Sequence, residues 1–571
     1  MKTNPSQSHR TFVHRNDPRI ASPLTPALSP LKGEGVRQAS SVSASASPHS
    51  LRLGYSAEKF RCANDAAVIK KLRRAFNATP SPLNGERAGV RGENASPASL
   101  PVEASRRVLS RRQFMGGIAI ATAGFQVVPG SVLGLNGATP PSGKLNIAGV
   151  GVSGQGGHDI TQFPNHNIVA LCDVDWSHAS GTFKKFPQAR QWKDYRKMLD
   201  EQKDIDAVVV ATPDHVHAFA SMASMKLGKH VYCEKPLTHS VWEARQVATM
   251  ARERKLATQM GNQGQASEDT RRLCELVWAG AIGPVREAHI WTDRPSNGLF
   301  GEYWPQGVER PKETPAIPAT LDWDLWLGPA PQRPFHPAYL PFKWRGWWDF
   351  GTGALGDIGC HAFDPVFRAL KLGAPTSVQA SSSRVNKETY PLASMVTYEF
   401  PARSAGVQSN NAHVLGQQGA SAGGVEMPAL KAVWYDGGLR PPRPAGLPER
   451  VKMGTNGRLL VGDRGFILET NVYPEARRKE VGDVPKTIPR VPNHYGEWAQ
   501  ACTGGPPAGS NFDFAGPLAE AVLLGNVALR HDLRDELTGK KLLWDSTALR
   551  ITNSDDANQF LRREYRAGWV L

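Results

Sequence analysis

Cysteine is scarce in this chain, which has six cysteines among 571 residues and neither a C-x-x-C pair nor a regular spacing. That pattern excludes a zinc ribbon and gives no sign of a disulfide scaffold. Long apolar runs are missing too. No uninterrupted stretch reaches the roughly 18 residues that a membrane-spanning helix needs, so we expect no stable membrane anchor. At roughly 150 residues per domain, the length suits two to four globular domains.

Acidic residues are outnumbered by basic ones, and the formal net charge is +16. The excess is local, because residues 1–112 carry 19 Lys and Arg against 7 Asp and Glu, whereas the remainder carries 49 against 45. Residues 1–105 are rich in Ser, Pro, Ala and Arg and lack sustained periodicity, which predicts a disordered or spurious extension. The rest of the chain is nearly balanced in charge, so we expect no nucleic-acid partner.

An export signal is predicted over residues 106–138. It contains Ser110-Arg-Arg-Gln-Phe-Met115, an apolar stretch at 116–128 and the small residues Asn136-Gly-Ala138. A charged, then apolar, then small-residue order is typical of a signal peptide, and the paired arginines resemble a twin-arginine signal. We therefore expect the twin-arginine export machinery as a partner and a periplasmic or otherwise exported location. A buried helix with two chance arginines is the alternative.

A glycine-rich turn follows a short apolar segment at 144–150. Its glycines, Gly149, Gly151 and Gly154, fit G-x-G-x-x-G and precede a predicted helix. Such glycines permit a tight turn and a close approach of the backbone to a pyrophosphate. The motif is weak evidence alone, but a second apolar strand at 167–172 ends in Asp173, where a carboxylate can accept hydrogen bonds from ribose hydroxyls and repel a 2′-phosphate. This favours NAD over NADP.

Strands and helices continue to alternate as far as residue 264. Apolar strands are predicted at 206–211, 227–233 and 257–261, with helices between them. This alternation predicts an α/β fold with a doubly wound parallel sheet over residues 144–264. Ligands of such sheets lie beyond the carboxyl ends of the strands, which is where Thr212, Glu234, Lys235 and Asn262 fall.

Two further motifs give the sequence a specific resemblance. T-P-D-H-x-H at 212–217 and E-K-P at 234–236, together with the glycine turn, resemble the Gfo/Idh/MocA (glucose–fructose oxidoreductase/inositol dehydrogenase) family. The resemblance implies a Rossmann domain followed by an α+β domain (265–571) with a large open mixed β-sheet, and a homo-oligomer. It places Lys235 beside nicotinamide and substrate. We further expect a cofactor pocket that includes Thr212, Pro213, His217, Glu234 and Asn262.

A second cluster of candidate residues lies in Gly351-Thr-Gly-Ala-Leu-Gly-Asp357-Ile-Gly-Cys-His361. Asp357 and His361 are four residues apart and would share one face of a helix. An imidazole can move a proton near neutral pH, and a carboxylate can orient it. The segment resembles the family's G-G-x-x-x-D-x-x-x-H signature, with Thr352 between two of the glycines. The resemblance implies that Asp357 and His361 complete the catalytic site with Lys235.

Tryptophan is concentrated in two loops, 321–329 and 341–350. Aromatic faces close to arginine suit sugar rings, and we expect Arg345, Trp347 and His361 to bind substrate. Tryptophans that anchor long loops in the core are an equally good interpretation.

The predicted function is an exported oxidoreductase that moves a hydride between a secondary hydroxyl of a carbohydrate or polyol and tightly bound nicotinamide. His361, oriented by Asp357, would take the proton while Lys235 stabilises the developing alkoxide, although the sequence leaves the proton acceptor open. Alternatives are an NAD-dependent glycosidase that oxidises its sugar transiently, a metal-dependent hydrolase or isomerase with Asp357 and His361 as ligands, and a non-catalytic carbohydrate-binding protein. We predict no metal site.

Overall fold

The computed structural model describes residues 143–296, 303–403, 427–491, 493–532 and 539–571. The predicted extension at 1–105 and the predicted export signal at 106–138 lie outside the described residues.

The first domain contains a six-stranded, fully parallel sheet in the order β3-β2-β1-β4-β5-β6. Its strands are β1 (Asn146–Val150), β2 (Asn167–Cys172), β3 (Arg190–Trp192), β4 (Ala207–Val210), β5 (His230–Glu234) and β6 (Thr258–Gly261). The helices that connect them are α1 (Gly154–Ile160), α2 (Trp176–Lys185), α3 (Tyr195–Glu201), α4 (Asp214–Lys226) and α5 (Val241–Glu253).

Composition explains the central strands of this sheet. All four residues of β4 are buried, three of them valine, because helices cover both faces of a parallel sheet. Helix α5 begins where Ser240 and Glu243 form a reciprocal capping box, which satisfies two backbone N–H groups that the helix leaves free. The predicted doubly wound Rossmann fold is confirmed.

The second domain contains a nine-stranded mixed sheet in the order β13-β12-β11-β7-β10-β9-β8-β14-β15. Its strands are β7 (Val285–Trp291), β8 (Ser377–Ser382), β9 (Ser394–Phe400), β10 (Leu430–Tyr435), β11 (Gly457–Gly462), β12 (Gly465–Leu468), β13 (Asn471–Tyr473), β14 (Leu542–Asp545) and β15 (Arg550–Ile551). Strands β7 and β10 pair in parallel, whereas the other neighbouring pairs are antiparallel. The expected large mixed sheet is confirmed.

Helices of the second part of the chain pack on this sheet and on the first domain. They are α6 (Glu268–Trp278), α7 (Trp323–Leu327), α8 (Gly353–Ala369), α9 (Glu475–Val481), α10 (His494–Cys502), α11 (Phe512–Asp532) and α12 (Asp555–Asn558). Among the described helices, Phe512–Arg530 within α11 is long and apolar enough to cross a membrane, but 89% of its most apolar window is buried inside the molecule. Its apolar residues form part of the core between α5 and α8.

Sequence periodicity predicted most of the first domain closely and missed its weakest elements. The predicted strand at 167–172 matches β2 residue for residue. Helix α2 and the three-residue strand β3 were not predicted, because α2 is polar on most of its surface and β3 is too short to show alternation.

Candidate active site

A cavity of about 590 Å³ lies at the carboxyl ends of the parallel strands, which is where ligands of open α/β sheets bind. It is lined from both parts of the chain. The predicted residues on its wall are Gly151, Gly154, Asp173, Thr212, Pro213, His217, Glu234, Lys235, Arg345 and His361. Gly149, Asn262, Trp347 and Asp357 are not among the lining residues.

The glycine turn fits a dinucleotide. Gly151 has a φ of +78°, and a Cβ built on it would lie 2.7 Å from the Ala211 carbonyl oxygen. A Cβ on Gly149 would lie 2.6 Å from Cγ1 of Val152, so this glycine allows the strand to pack closely on the turn that follows. Gly154 has a φ of +51° and open space around it. Backbone of this kind leaves room for a phosphate group to approach.

Asp173 ends β2 beside this turn. Its Oδ2 accepts a hydrogen bond from the Val152 backbone N–H at 2.9 Å, and its Oδ1 accepts one from Asp175 at 3.0 Å. Burial raises the pKa of the Asp173 carboxyl, although both backbone hydrogen bonds oppose that shift. Each oxygen keeps a lone pair, so the carboxylate that anchors the turn can also accept a ribose hydroxyl.

Lys235 and Asp357 form the central ion pair of the site. The Lys235 Nζ lies 2.7 Å from Oδ1 of Asp357, and the Nε of Arg345 donates to the same oxygen at 2.7 Å. Burial alone would raise the pKa of Asp357, but the two cations lower it more, so that pKa falls well below its usual range. Asp357 is therefore a carboxylate that holds two cations at the cavity wall.

Arg345 is fixed by aromatic side chains as well as by charge. Its guanidinium carbon lies 4.1 Å from the ring centroid of Phe342 and 4.2 Å from that of Trp344. Stacking on two rings restricts the rotamers of a long side chain and keeps its charge in place. Phe342 and Trp344 line the cavity too, and they were missed because the loop carries no regular periodicity.

His361 lies one helical turn after Asp357 on α8 and lines the cavity. Burial and then the charge of Lys235 lower its pKa to about 3, and Asp357 opposes that shift. The imidazole is therefore neutral at pH 7. Within the described ranges, no hydrogen bond joins Asp357 to His361, since Asp357 bonds to Lys235 and Arg345 instead. The structure thus gives Asp357 a different partner from the expected one.

Asp214, which sequence reasoning did not select, lies under this cluster. It is 1% exposed, and its Oδ2 accepts a hydrogen bond from the Thr352 hydroxyl at 2.6 Å. Burial raises its pKa to about 7, opposed by the Thr352 hydroxyl and by the charge of Arg345. Asp214 starts α4 and Thr352 precedes α8, so this bond connects the helix after the T-P turn to the helix that carries Asp357 and His361.

His217 connects two of the sequence motifs. Its Nδ1 lies 2.7 Å from the Pro236 carbonyl oxygen and its Nε2 lies 2.7 Å from that of Thr212. Burial lowers its pKa to about 4, and the two backbone contacts oppose that shift. The ring thereby connects the turn at Thr212 to the segment after Lys235, whose peptide bond to Pro236 is cis.

Glu234 and its neighbours form a polar wall beside Lys235. A Glu234 carboxyl oxygen accepts from Nε2 of Gln263 at 2.7 Å, and the other accepts from the Lys235 backbone N–H at 3.2 Å. Burial raises the pKa of Glu234 well above its usual range. Gln263 lines the cavity and was not predicted, whereas the predicted Asn262 is fully buried with no side-chain partner among the described residues.

Most tryptophans of the two loops are buried in the core, whereas Trp344 is partly exposed and lines the cavity. Trp347 is 1% exposed, its Nε1 donates to the Ala338 carbonyl at 3.0 Å, and Tyr339 packs edge-on against its ring. Trp323 and Trp326 stack at 4.9 Å in the same cluster. The structure therefore does not bring Trp347 to the cavity, because its indole serves as a loop anchor.

Metal ligation finds no support in the part of the chain that the structure describes. No group of three or more His, Cys, Asp or Glu side chains there could hold an ion. The carboxylate of Asp357 is already shared by two cations, an arrangement that disfavours a metal at Asp357 and His361.

Comparisons with known proteins cover both parts of the fold. Residues 144–262 match the model of an oxidoreductase family, NAD-binding Rossmann fold (GFO_IDH_MocA), and residues 296–406 match the C-terminal alpha/beta domain of that family. D-glucoside 3-dehydrogenase of Escherichia coli K12 is 30% identical over 215 residues, which is 38% of this chain and 50% of that protein. Inositol 2-dehydrogenase of Salmonella typhimurium is 24% identical over 152 residues, 26% of this chain and 44% of that protein.

The chain thus spans about half the length of these curated relatives. Among solved structures, WlbA dehydrogenase from Chromobactrium violaceum in complex with NADH and UDP-GlcNAcA is 16% identical with a TM-score of 0.46, covering 70% of this chain and 97% of that one. The glycine turn, the Asp173 carboxylate and the match to an NAD-binding Rossmann model support NAD as the cofactor, and residues 144–262 and 296–406 are matched by the two domain models of the Gfo/Idh/MocA oxidoreductase family.

Proposed function

We propose that this protein is an NAD-dependent oxidoreductase that acts on a secondary hydroxyl of a carbohydrate or polyol. The main support for this proposal is the Lys235–Asp357 ion pair, in which Nζ and Oδ1 lie 2.7 Å apart. Lys235 lines the same cavity as the glycine turn. The names of the relatives, an inositol dehydrogenase and a glucoside dehydrogenase, support this substrate class.

Bound NAD would supply the hydride acceptor, and the chain's own residues handle the substrate oxygen. Asp357 accepts a hydrogen bond from Nζ of Lys235 at 2.7 Å and so fixes the charged end of that side chain beside the cavity. A cation there stabilises negative charge that develops on the substrate oxygen as its proton leaves. Arg345, held by Phe342 and Trp344, adds a second fixed positive charge beside the same carboxylate.

His361 is the best-placed proton acceptor. It lines the cavity and is neutral at pH 7, so it has a lone pair available to accept the proton of the substrate hydroxyl. In this account, His361 passes the proton on to solvent after each oxidation.

A substrate screen tests this proposal. The purified protein with NAD is mixed with a panel of inositols, hexoses and glycosides, and NADH is followed at 340 nm together with any released aglycone. The proposal expects net NADH from at least one compound. Aglycone release without net NADH would instead support the redox-assisted glycosidase, and no reaction with any member would contradict the substrate class.

We also propose export by the twin-arginine pathway and assembly into a homo-oligomer. The paired arginines and the apolar stretch at 116–128 support export. The resemblance to the family supports an oligomer, and light scattering of the purified protein measures it directly.

A further inference from the structure

Residues 563–569 lie close to the end of the sequence, and they extend to the cavity that contains the glycine turn. Trp569 lines the same cavity as Gly151 and Lys235, although its side chain is only 9% exposed. The segment lies outside both stretches that the family models match, which end at residues 262 and 406. The segment is therefore not part of either matched stretch, although it packs against residues of the first one.

The neighbours of Trp569 identify the end of the cavity at which it lies. The Arg196 guanidinium carbon is 4.5 Å from the indole centroid, and the rings of Phe219 and Tyr195 lie at 5.7 Å and 6.5 Å. Tyr195 and Arg196 begin α3, beside the strand that ends in the ribose-binding candidate Asp173. Trp569 is therefore at the adenosine end, away from the Lys235 end.

The segment is held in place by directional contacts. The Arg566 backbone N–H donates to the Pro329 carbonyl at 3.0 Å, and its side chain donates to the Gly328 carbonyl at 2.9 Å and forms an ion pair with Asp324. Tyr565 donates to Glu243 of α5 at 3.0 Å. These bonds connect the segment to the α7 loop and to the first domain.

We propose that residues 563–569 cap the adenosine end of the pocket and slow the release of NAD. An indole beside a flat adenine ring excludes water and must move before the dinucleotide can leave. The inference rests on the proposed function, because it needs NAD as the ligand. It gives a physical basis for a cofactor that stays bound through successive turnovers.

The test uses the full chain and four variants. Trp569→Ala removes the indole, Trp569→Phe keeps an aromatic ring, and Arg566→Gln weakens the anchor of the segment. Val570→Ala is the matched control, because Val570 directly follows the segment and is 87% exposed. The NAD dissociation rate is measured by stopped-flow displacement, and the affinities for ADP-ribose and nicotinamide mononucleotide by calorimetry, with circular dichroism to establish folding.

We expect Trp569→Ala to release NAD at least about tenfold faster, Trp569→Phe and Arg566→Gln to fall between, and Val570→Ala to match the wild type. ADP-ribose affinity should weaken with Trp569→Ala, while that for nicotinamide mononucleotide, which lacks adenosine, stays constant. Unchanged NAD release from folded Trp569→Ala, or equal weakening of both fragments, would overturn the cap. A wild-type protein that binds neither NAD nor ADP-ribose would overturn the proposed function as well.

Discussion

Lys235 and Asp357 are 122 positions apart in the sequence, yet Nζ of Lys235 lies 2.7 Å from Oδ1 of Asp357. Lys235 directly follows strand β5 and Asp357 lies on helix α8, so the contact joins the two parts of the fold at the cavity. The pair is almost wholly buried, with 13% and 8% of the two side chains exposed. In the proposed mechanism, the pair fixes a positive charge where the substrate oxygen becomes negative.

Removing that charge should affect turnover more than cofactor binding. We expect Lys235→Ala to lower kcat by about 10²–10³-fold while the protein still retains NAD, because a lost electrostatic contact to the transition state costs that much. Steady-state kinetics and nucleotide extraction measure the two effects. Lys226→Ala, an exposed lysine at the end of α4, is the control. A variant at position 235 with wild-type kcat would remove Lys235 from the mechanism.

Asp214 predicts a pH dependence of stability. Its folded-state pKa, raised by burial to about 7, exceeds the unfolded value of about 3.9. The folded state therefore favours the protonated carboxyl, and the stability it contributes is full below about pH 4 and lost as the pH rises to about 7. The side chain of Asp214→Asn stays neutral at every pH. The free energy of unfolding of this variant should therefore increase relative to that of the wild type as the pH rises from 4 to 7.

Urea denaturation at one-unit pH intervals measures this difference. Asp200→Asn is the control, because the Asp200 side chain is 87% exposed. A difference between Asp214→Asn and the wild type that does not change with pH would show that folding does not raise the pKa of Asp214.

The glycine turn predicts a contrast between two glycine substitutions. Gly151→Ala places a Cβ 2.7 Å from the Ala211 carbonyl oxygen at a positive φ, so we expect NAD affinity to fall at least about tenfold. Gly181→Ala, in the middle of α2 with open space around it, should leave affinity unchanged and stabilise the helix by about 0.5–1 kcal/mol. Calorimetry with NAD compares them, and equal affinities would mean that the turn does not approach the dinucleotide.

Asp173 predicts the choice between the two dinucleotides. We expect the wild type to bind NAD more tightly than NADP, because a carboxylate repels a 2′-phosphate. Asp173→Asn keeps an oxygen for the Val152 backbone N–H but removes the charge, so the ratio of the two Kd values should move toward one. Competition binding measures that ratio, and a preference unchanged by the substitution would contradict the role of Asp173.

Export predicts the start of the mature protein. If the twin-arginine signal is processed, the N-terminus of the periplasmic protein should lie near residue 138, and Arg111→Lys with Arg112→Lys should keep the protein in the cytoplasm. Sequencing of the mature N-terminus measures the first effect. Residues before 110 on exported protein would contradict both the signal and the idea that the extension is spurious.

The sequence predicted the parts of the site that depend on local motifs. Gly151, Asp173 and Lys235 follow strands of a parallel sheet, and the topology of such a sheet brings strand ends together. The pairing of Arg345 with Asp357 was not predictable, because it depends on how a loop without periodicity folds over α8. The parallel pairing of β7 with β10 was not predictable either, because strands distant in sequence meet only in the tertiary fold.

Trp347 and Trp569 are two tryptophans whose surroundings the sequence did not predict. Trp347 lies in the loop that suggested a sugar platform, yet it is buried in an aromatic cluster. Trp569 lies more than 330 residues after Lys235, yet both residues line one cavity. Composition and spacing do not distinguish a core tryptophan from a ligand-facing one, because both are apolar and both occur in loops.

The most direct test of the central claim is a single-turnover measurement with the protein and its bound NAD. A sugar or polyol selected by the screen is added in excess to the wild type and to Lys235→Ala, and the absorbance at 340 nm is followed. We predict that the wild type forms one equivalent of NADH per site and that Lys235→Ala forms it about 10²–10³-fold more slowly. Bound NAD that no carbohydrate or polyol reduces in the wild type, or reduction at equal rates in both proteins, would contradict the account.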